Sequence, residues 1–596
     1  MRFDLRPLVI AALALVIAAC GGAPTKPTTP PKDLVDTEEQ AELEVLPRFG
    51  QEHESMFYSI EDALALHDWQ TAEMLLAQLP AQELDPRDQT QYQRMLAQTL
   101  YQRGDTVRAL QQRDKLLNVP TDSDLYLEIL KDQQYQLRLS DQHLQSAYLG
   151  HRAITQYPKL IDDPMLNAIW TDLQQSSPDD IADALKSASG DPQWQAWLKL
   201  TSLDEQRRHT STAVFNLALE QWLLAHPDHP ASVFLPGGLE FLMQAEQART
   251  VALMLPLSGR LASAGTAVRD GYLAAYYQQL GSHSDSQTIH IIDSARYPNI
   301  EDAYYAAENT GADIVVGPLN KDQVRALDES PVRALPVIAL NRTEQPSQLG
   351  DRALIQLALA PQDEAKQLAR LAFGRGHRKA MLIAPESSWG EKMADALIQQ
   401  WQELGGKITS RMSYASSAQL SANMEQALSL QQSNARHRQI EAKFGDTNVG
   451  FQPRRRQDID VVFILSNDVN EARSIKPLLS FYYAGNVPVL STSATYNTDT
   501  SRNRDLAGVG LLETPWRLKN NPLRASIGKA GNGRLAALYA LGADAYLLQS
   551  RFAQLAAGKN AILRGSTGHL RLNDKLQIER TLKTAVFDGK GRIKTP

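Results

Sequence analysis

Residues Thr250-Val-Ala-Leu-Met-Leu-Pro-Leu-Ser-Gly-Arg-Leu-Ala-Ser-Ala-Gly-Thr-Ala-Val-Arg-Asp-Gly-Tyr-Leu-Ala-Ala-Tyr-Tyr277 read as a strand, a tight loop and a helix. Val251 to Leu255 is a continuous apolar run, the pattern of a strand buried on both faces of a parallel sheet. Pro256, Ser258 and Gly259 break the run. From Ala264 onward Ala267, Val268, Gly271, Tyr272, Ala275 and Tyr276 recur at helical spacing. Ser258 and Gly259 therefore stand at the carboxyl end of a strand, where open α/β sheets bind their ligands.

Leu255-Pro-Leu-Ser-Gly259, followed by a helix containing Arg269-Asp-Gly-Tyr272, resembles the opening of type I periplasmic binding proteins, which are two-lobed. Downstream, Thr288–Asp293, Asp313–Val316 and Pro336–Ala339 are apolar runs with helical segments between them. Lys379–Ala384, Asp460–Leu465 and Val487–Leu490 continue the series. Such alternation predicts right-handed βαβ units around parallel sheets. Residues 249–596 are expected to form this α/β domain, with one lobe over about 249–360 and the other over about 361–490. After about residue 497 the chain is expected to cross back, because Leu535–Ala557 reads as a long amphipathic helix that needs a sheet to cover. A polar insertion from about Gln431 to Asp458 carries Arg436-His-Arg438 and Arg454-Arg-Arg456. A solvated loop is the plain reading of it; a partner-docking patch at Arg454, Arg455 and Arg456 is the sharper one.

Residues 41–248 carry a helical signal throughout. Ala72, Leu75, Leu76 and Leu79 share one helix face, and Tyr92, Met95, Leu96, Thr99 and Leu100 share the next. Gly104-Asp105 marks a turn, and Tyr157-Pro158 closes a further helix. Short helices on short turns suggest stacked pairs. The segment Ala63-Leu-Ala-Leu-His-Asp-Trp-Gln-Thr-Ala-Glu-Met-Leu-Leu76 resembles a tetratricopeptide repeat, although the period is irregular. Trp194, Trp197 and Trp222 are expected in the packing of this domain. The fold class is thus a helical, repeat-like domain followed by a two-lobed domain of the type I periplasmic binding protein kind.

The amino terminus reads as an export signal. Met1 to Arg6 is a short basic start, and Leu8 to Ala19 is almost wholly apolar. That core is about 18 Å long as a helix, short of the roughly 30 Å hydrocarbon layer, so it suits a signal peptide over residues 1–19 better than a membrane span. Ile17-Ala-Ala-Cys20 resembles the bacterial lipobox, and Cys20 is the single cysteine of the chain. The resemblance implies cleavage before Cys20, a diacylglycerol thioether on its sulfur and an N-acyl chain. Gly21 stands where an aspartate would favour inner-membrane retention, so it also implies a lipid-anchored place on the periplasmic side of the outer membrane. Residues 20–40, with Pro24, Pro27, Pro30 and Pro31, cannot build a core and read as a semi-extended tether.

Composition narrows the function. The chain has 596 residues, is 43% hydrophobic and 22% charged, and carries a net charge of −7. An acidic balance argues against nucleic-acid binding. No Gly-x-Ser-x-Gly, His-Glu-x-x-His or phosphate-loop motif is present, and the histidines lack metal spacing. No catalytic residue, metal site or bound cofactor is therefore expected. Polar residues do gather at predicted strand ends, at Ser258, Gly259, Gly317, Asn341, Ser387, Ser466 and Ser491. These line a cleft for a small polar ligand, or serve as the turn formers that βα loops require.

A more specific resemblance lies in Arg454-Arg-Arg-Gln-Asp-Ile-Asp460, Ile475-Lys-Pro-Leu-Leu-Ser-Phe-Tyr-Tyr-Ala-Gly485 and Val487-Pro-Val-Leu-Ser491. Glu513-Thr-Pro-Trp516, Leu541-Gly-Ala-Asp-Ala-Tyr546 and Gly565-Ser-Thr-Gly568 extend it. This pattern resembles the LpoA family of outer-membrane lipoproteins, which activate class A penicillin-binding proteins, the bifunctional peptidoglycan synthases. The resemblance implies a non-enzymatic regulator of peptidoglycan synthesis whose C-terminal domain contacts the synthase. The alternative from the fold is a solute-binding lipoprotein that delivers a small ligand to a transporter.

Overall fold

The computed structural model describes residues 48–596, apart from 207–209, 211, 245–247, 281–285, 332, 345–353, 445–450, 498, 519–520, 558–560 and 596. Cys20 and the tether lie outside the described residues. From Glu54 to Gln244 the described elements are all helical. Local chemistry sets their ends. Asp85 caps Pro86–Arg103 by accepting from the amides of Arg87 and Asp88, Pro86 supplies a preset first residue, and Gly104 ends the helix in a left-handed turn with φ of 102°. Asp122, Asp162 and Ser177 cap later helices in the same way. Consecutive helices pack on one another. Trp194, Trp197 and Trp222 are buried in their shared core, with Trp222 Nε1 donating to the Ala196 carbonyl at 3.0 Å.

The rest of the chain builds two mixed sheets. Strands β1 (Thr250–Leu255), β2 (Thr288–Asp293), β3 (Ile314–Val316), β4 (Val337–Ala339) and β5 (Leu354–Leu357) come first. Then follow β6 (Lys379–Pro385), β7 (Lys407–Tyr414), β8 (Val461–Ile464), β9 (Val489–Ser491) and β10 (Gly510–Glu513). Last are β11 (Ile562–Arg564), β12 (His569–Leu572), β13 (Gln577–Thr581), β14 (Lys583–Phe587) and β15 (Ile593–Lys594). One sheet has the order β11-β12-β13-β5-β4-β3-β1-β2, the other β15-β14-β10-β9-β8-β6-β7. β1 lies between β2 and β3, parallel to both, and Val251 to Leu255 are fully buried, as a strand covered on both faces must be. The chain passes between the sheets three times: after β5, after β10 and after β13. This is the two-lobed arrangement of the periplasmic binding protein fold.

Three details differ from the expectations. The second lobe runs past Leu490, because β10 pairs with β9 and the tail returns to it as β14 and β15. Leu535–Ala557 is two helices, Ala536–Ser550 and Phe552–Ala556, and the first is buried on most of its circumference rather than on one face. It packs against Ala262–Leu280 at backbone contact. A Cβ on Gly271 would meet the Tyr539 carbonyl oxygen at 2.0 Å, and one on Gly542 would meet that of Val268 at 2.0 Å. Within the polar insertion, Leu430–Phe444 is a helix rather than a loop, anchored by buried Leu430 and Ser433.

The helical domain is fixed to both lobes by three buried arginines. Arg378, just before β6, donates from Nε to the Gln102 carbonyl at 2.8 Å and from a terminal nitrogen to the Tyr101 carbonyl. Its guanidinium lies 3.6 Å from the centre of the Phe373 ring, and burial lowers its pKa to about 10. Arg551, between the helices Ala536–Ser550 and Phe552–Ala556, pairs with Asp204 at 2.9 Å. Arg564, at the end of β11, donates to the carbonyls of Gln174 (2.8 Å), Leu173 (3.1 Å) and Ser176 (2.9 Å) and pairs with Glu205 at 2.8 Å. Those carbonyls belong to the end of the helix Asp163–Gln175, where intrahelical donors run out and the helix dipole is negative. Arg564→Ala should leave the buried carbonyls of this helix end without their donor, lowering stability by about 3 kcal/mol. Urea unfolding of the full chain checks this; an unchanged midpoint would mean the junction does not depend on Arg564.

Candidate functional site

The strand-end residues are engaged within the chain. Asp293, at the end of β2, accepts from the Leu257 amide at 2.8 Å and from Ser258, tying the loop after β1 to its neighbour. Gly259 is exposed with φ of 70°. Gly317 is buried, and a Cβ there would lie 1.9 Å from the Met254 carbonyl oxygen, so close strand approach explains the glycine. Asn341 donates to the Leu319 carbonyl at 3.0 Å and accepts from the Arg342 amide at 3.0 Å. Ser387 caps the helix Ser388–Glu403. Ser466 is buried, accepts from the Asp468 amide at 3.0 Å and lies 2.8 Å from Glu471. Ser491 is buried and donates to the Ile464 carbonyl at 3.0 Å. No hydrogen bond among the described residues joins the first-lobe members of this set to the second-lobe members. Asn341 alone of the seven lines the cavity of about 1430 Å³ where the helical domain meets both lobes.

The three arginines of the insertion do not form one patch. Arg455 is buried, donating from Nε to the Tyr483 carbonyl at 2.8 Å. Arg456 makes two bonds to Asp458, each 2.7 Å. Arg454 is exposed, and its backbone amide is held by Ser433 Oγ at 3.1 Å. The segment 451–456 therefore bridges the helix Leu430–Phe444 to the end of the helix Val469–Phe481. Exposed aromatics occur on the segments joined in this way: Phe481, 73% exposed, and Tyr483, 47% exposed, at the end of the second helix, and Phe451, which stacks on His437 at 3.9 Å between ring centres. Arg436 and Arg438 are exposed on the helix Leu430–Phe444. Exposed aromatics among arginines are the composition of protein-docking surfaces. The aromatic run Phe481-Tyr-Tyr483 lies within the stretch Ile475–Gly485 that carries the family resemblance, and it is the sequence signal for these exposed rings.

Sequence reading also missed a buried acid. Glu364 lies in the first turn of the helix Pro361–Gly374, where an acidic residue looks like an ordinary helix-dipole partner. It accepts from the backbone amide of Ser493 through Oε1 and from Ser493 Oγ through Oε2 at 3.1 Å, which ties the first helix of the second lobe to the loop after β9. Burial, helped by the Glu513 carboxylate and opposed by the Ser493 bonds, pushes its pKa up to about 7.

The sequence profile of the family described as "LppC putative lipoprotein" matches residues 50–589. The chain belongs to the LppC family. Relatives of this LppC chain include the penicillin-binding protein activator LpoA of Photobacterium profundum, 27% identical over 604 residues that span 98% of this chain and 97% of that protein. The LpoA of Vibrio cholerae is 26% identical over 606 residues, 97% of each chain. The resemblance read from residues 454–568 thus extends over nearly the whole length. Among solved structures, full-length LpoA from Haemophilus influenzae is 21% identical with a TM-score of 0.48, covering 92% of this chain and 88% of that one. The C-domain of the same protein, described as a regulator of PBP1A, is 22% identical with a TM-score of 0.46, covering 58% of this chain and 99% of that one.

Glu364 makes stability depend on pH with a definite sign. Its folded pKa of about 7 lies above the unfolded value near 4.5, so the native state holds a proton that the unfolded state releases between those values. The native state is therefore most favoured below about pH 4.5 and loses up to about 3 kcal/mol as pH rises through 7. Glu364→Gln keeps an acceptor for Ser493 and removes the titration. Its melting temperature should match wild type at pH 5 and exceed it at pH 8; equal melting temperatures at pH 8 would show that the carboxylate ionises without penalty.

Proposed function

We propose that this chain is a lipid-anchored regulator that binds and activates a class A penicillin-binding protein from the periplasmic side of the outer membrane. The observation that carries this reading is the full-length match to LpoA activators, which takes in the helical and the α/β domains together. Activation without chemistry in the activator requires preferential binding to a more active synthase conformation. A fivefold rate increase needs only about 1 kcal/mol of that preference. The surface assigned to the synthase is the second-lobe face at Arg454, Phe451, Phe481 and Tyr483. The membership of a lipoprotein family supports Cys20 as the anchor. Among the described residues no helix is long and apolar enough to cross a membrane. The solute-transport reading loses its argument where Ser466 and Ser491 are buried in internal bonds.

Arg454→Glu combined with Phe481→Ala in the full chain should weaken the complex by about 2 kcal/mol, roughly thirtyfold. Arg455 and Arg456 are poor choices for this test, since the first is buried and the second is paired. The readout is glycan polymerisation and peptide cross-linking by a purified class A synthase of the same organism. If wild type activates and the double variant activates equally at every concentration, the face is wrong. If wild type changes neither rate with any such synthase, the activator reading fails. For the anchor, mass spectrometry of the mature protein should find Cys20 as the first residue, bearing lipid, and Cys20→Ala should leave the signal peptide uncleaved. A mature chain starting elsewhere would remove Cys20 from that role.

A further inference from the structure

The cavity of about 1430 Å³ is walled by three bodies. The helical domain contributes Tyr135 and Thr171, the first lobe Arg342 and Arg580, and the second lobe Lys366 and Arg370. Several charges on its wall neutralise one another. Arg342 makes two bonds to Asp363, both 2.9 Å, Arg571 pairs with Glu579 at 2.6 Å, and Lys321 pairs with Glu344 at 3.0 Å. Three other cations have no such partner among the described residues. Arg370 donates only to the neutral Gln400, at 2.9 Å, and Lys366 and Lys392 have no acceptor among the described residues.

Arg580 is the unusual member. It is 8% exposed and lines the cavity, yet its guanidinium donates no hydrogen bond to any described residue, and its Nε is buried without a partner. A guanidinium has five donors, and a buried one left without acceptors is costly. The carboxylates nearest to it are engaged elsewhere. Asp363 holds Arg342, Glu364 holds Ser493, and Asp544 accepts from the amide of Thr567 at 2.8 Å and from its hydroxyl at 2.5 Å. Burial pushes the Arg580 pKa down, and those three acids oppose the shift without bonding to it.

We propose that this junction cavity binds a ligand bearing carboxylate or phosphate groups, which supplies the acceptors that Arg580 lacks and draws on Lys366 and Arg370. Two anionic oxygens match the guanidinium fork bidentately. The volume exceeds that of a simple ion and fits a body carrying more than one acidic group. Such a ligand touches the helical domain and both lobes at once, so its binding holds the three in one arrangement.

Isothermal titration of the full chain at physiological salt with inorganic pyrophosphate and, separately, with citrate tests this. The two arms distinguish a phosphate from a carboxylate source. At least one should bind with measurable heat and raise the melting temperature, Arg580→Gln should weaken it at least tenfold, and Arg370→Gln with Lys366→Gln should weaken it severalfold. If Arg580→Gln does not fold, the double variant decides. No heat with either anion, or wild-type affinity in the folded variants, would overturn the proposal. No synthase is present in the assay, so its outcome is independent of the activator reading.

Discussion

The architecture depends on putting guanidinium groups where backbone carbonyls converge. Arg378 reaches the carbonyls of Tyr101 and Gln102, and Arg564 reaches those of Leu173, Gln174 and Ser176. Desolvating a cation is unfavourable, and it is offset only when its donors are met and opposite charge lies close. Helix ends meet both demands, because their carbonyls lack intrahelical donors and carry the negative end of the dipole. Arginine suits the role through its planar fork; lysine would reach fewer acceptors from one point.

The placement of these contacts has a mechanical consequence. Arg378 belongs to the second lobe, whereas Arg551 and Arg564 belong to the first, and all three bond the same helical domain. A hinge motion that spread the lobes would pull buried cations away from their acceptors. The helix crossing at Gly271 and Gly542 adds stiffness, since backbone lies against backbone with no side chain to rearrange. Two-lobed proteins that capture solutes work by closing. Here the lobes are strapped together from outside, and polar groups at the strand ends bond to their own loops. The surface around Arg454 and the cavity beside the strap are the places proposed for recognition.

Much of this was legible in the chain. The buried strand β1, the alternation of strands and helices, the all-helical first domain and the core tryptophans follow from apolar periodicity, which reports how each element faces its nearest neighbours. The reading fell short where the pattern around a polar side chain does not say which partner it takes. Ser466 and Ser491 read equally as cleft residues or as turn formers, because a hydroxyl after a strand looks the same whether it faces solvent or a carbonyl. Arg454, Arg455 and Arg456 looked like one patch, yet Tyr483 claims the second and Asp458 the third.

The sequence by itself determined most of the element types, their order, the succession of a helical region and an α/β fold, and the family, since these rest on local patterns and on motifs a few residues long. Only the tertiary structure decided that the helical domain straps both lobes, that Glu364 is buried, and that Arg580 stands in a cavity without an acceptor among the described residues. The physical reason is that a charged side chain takes its meaning from its surroundings. Arg564 and Glu205 lie 359 positions apart and meet at 2.8 Å, a distance that no periodicity encodes. Burial and pairing are set by which surfaces the three crossings between the sheets bring together, and that is a property of the folded chain alone.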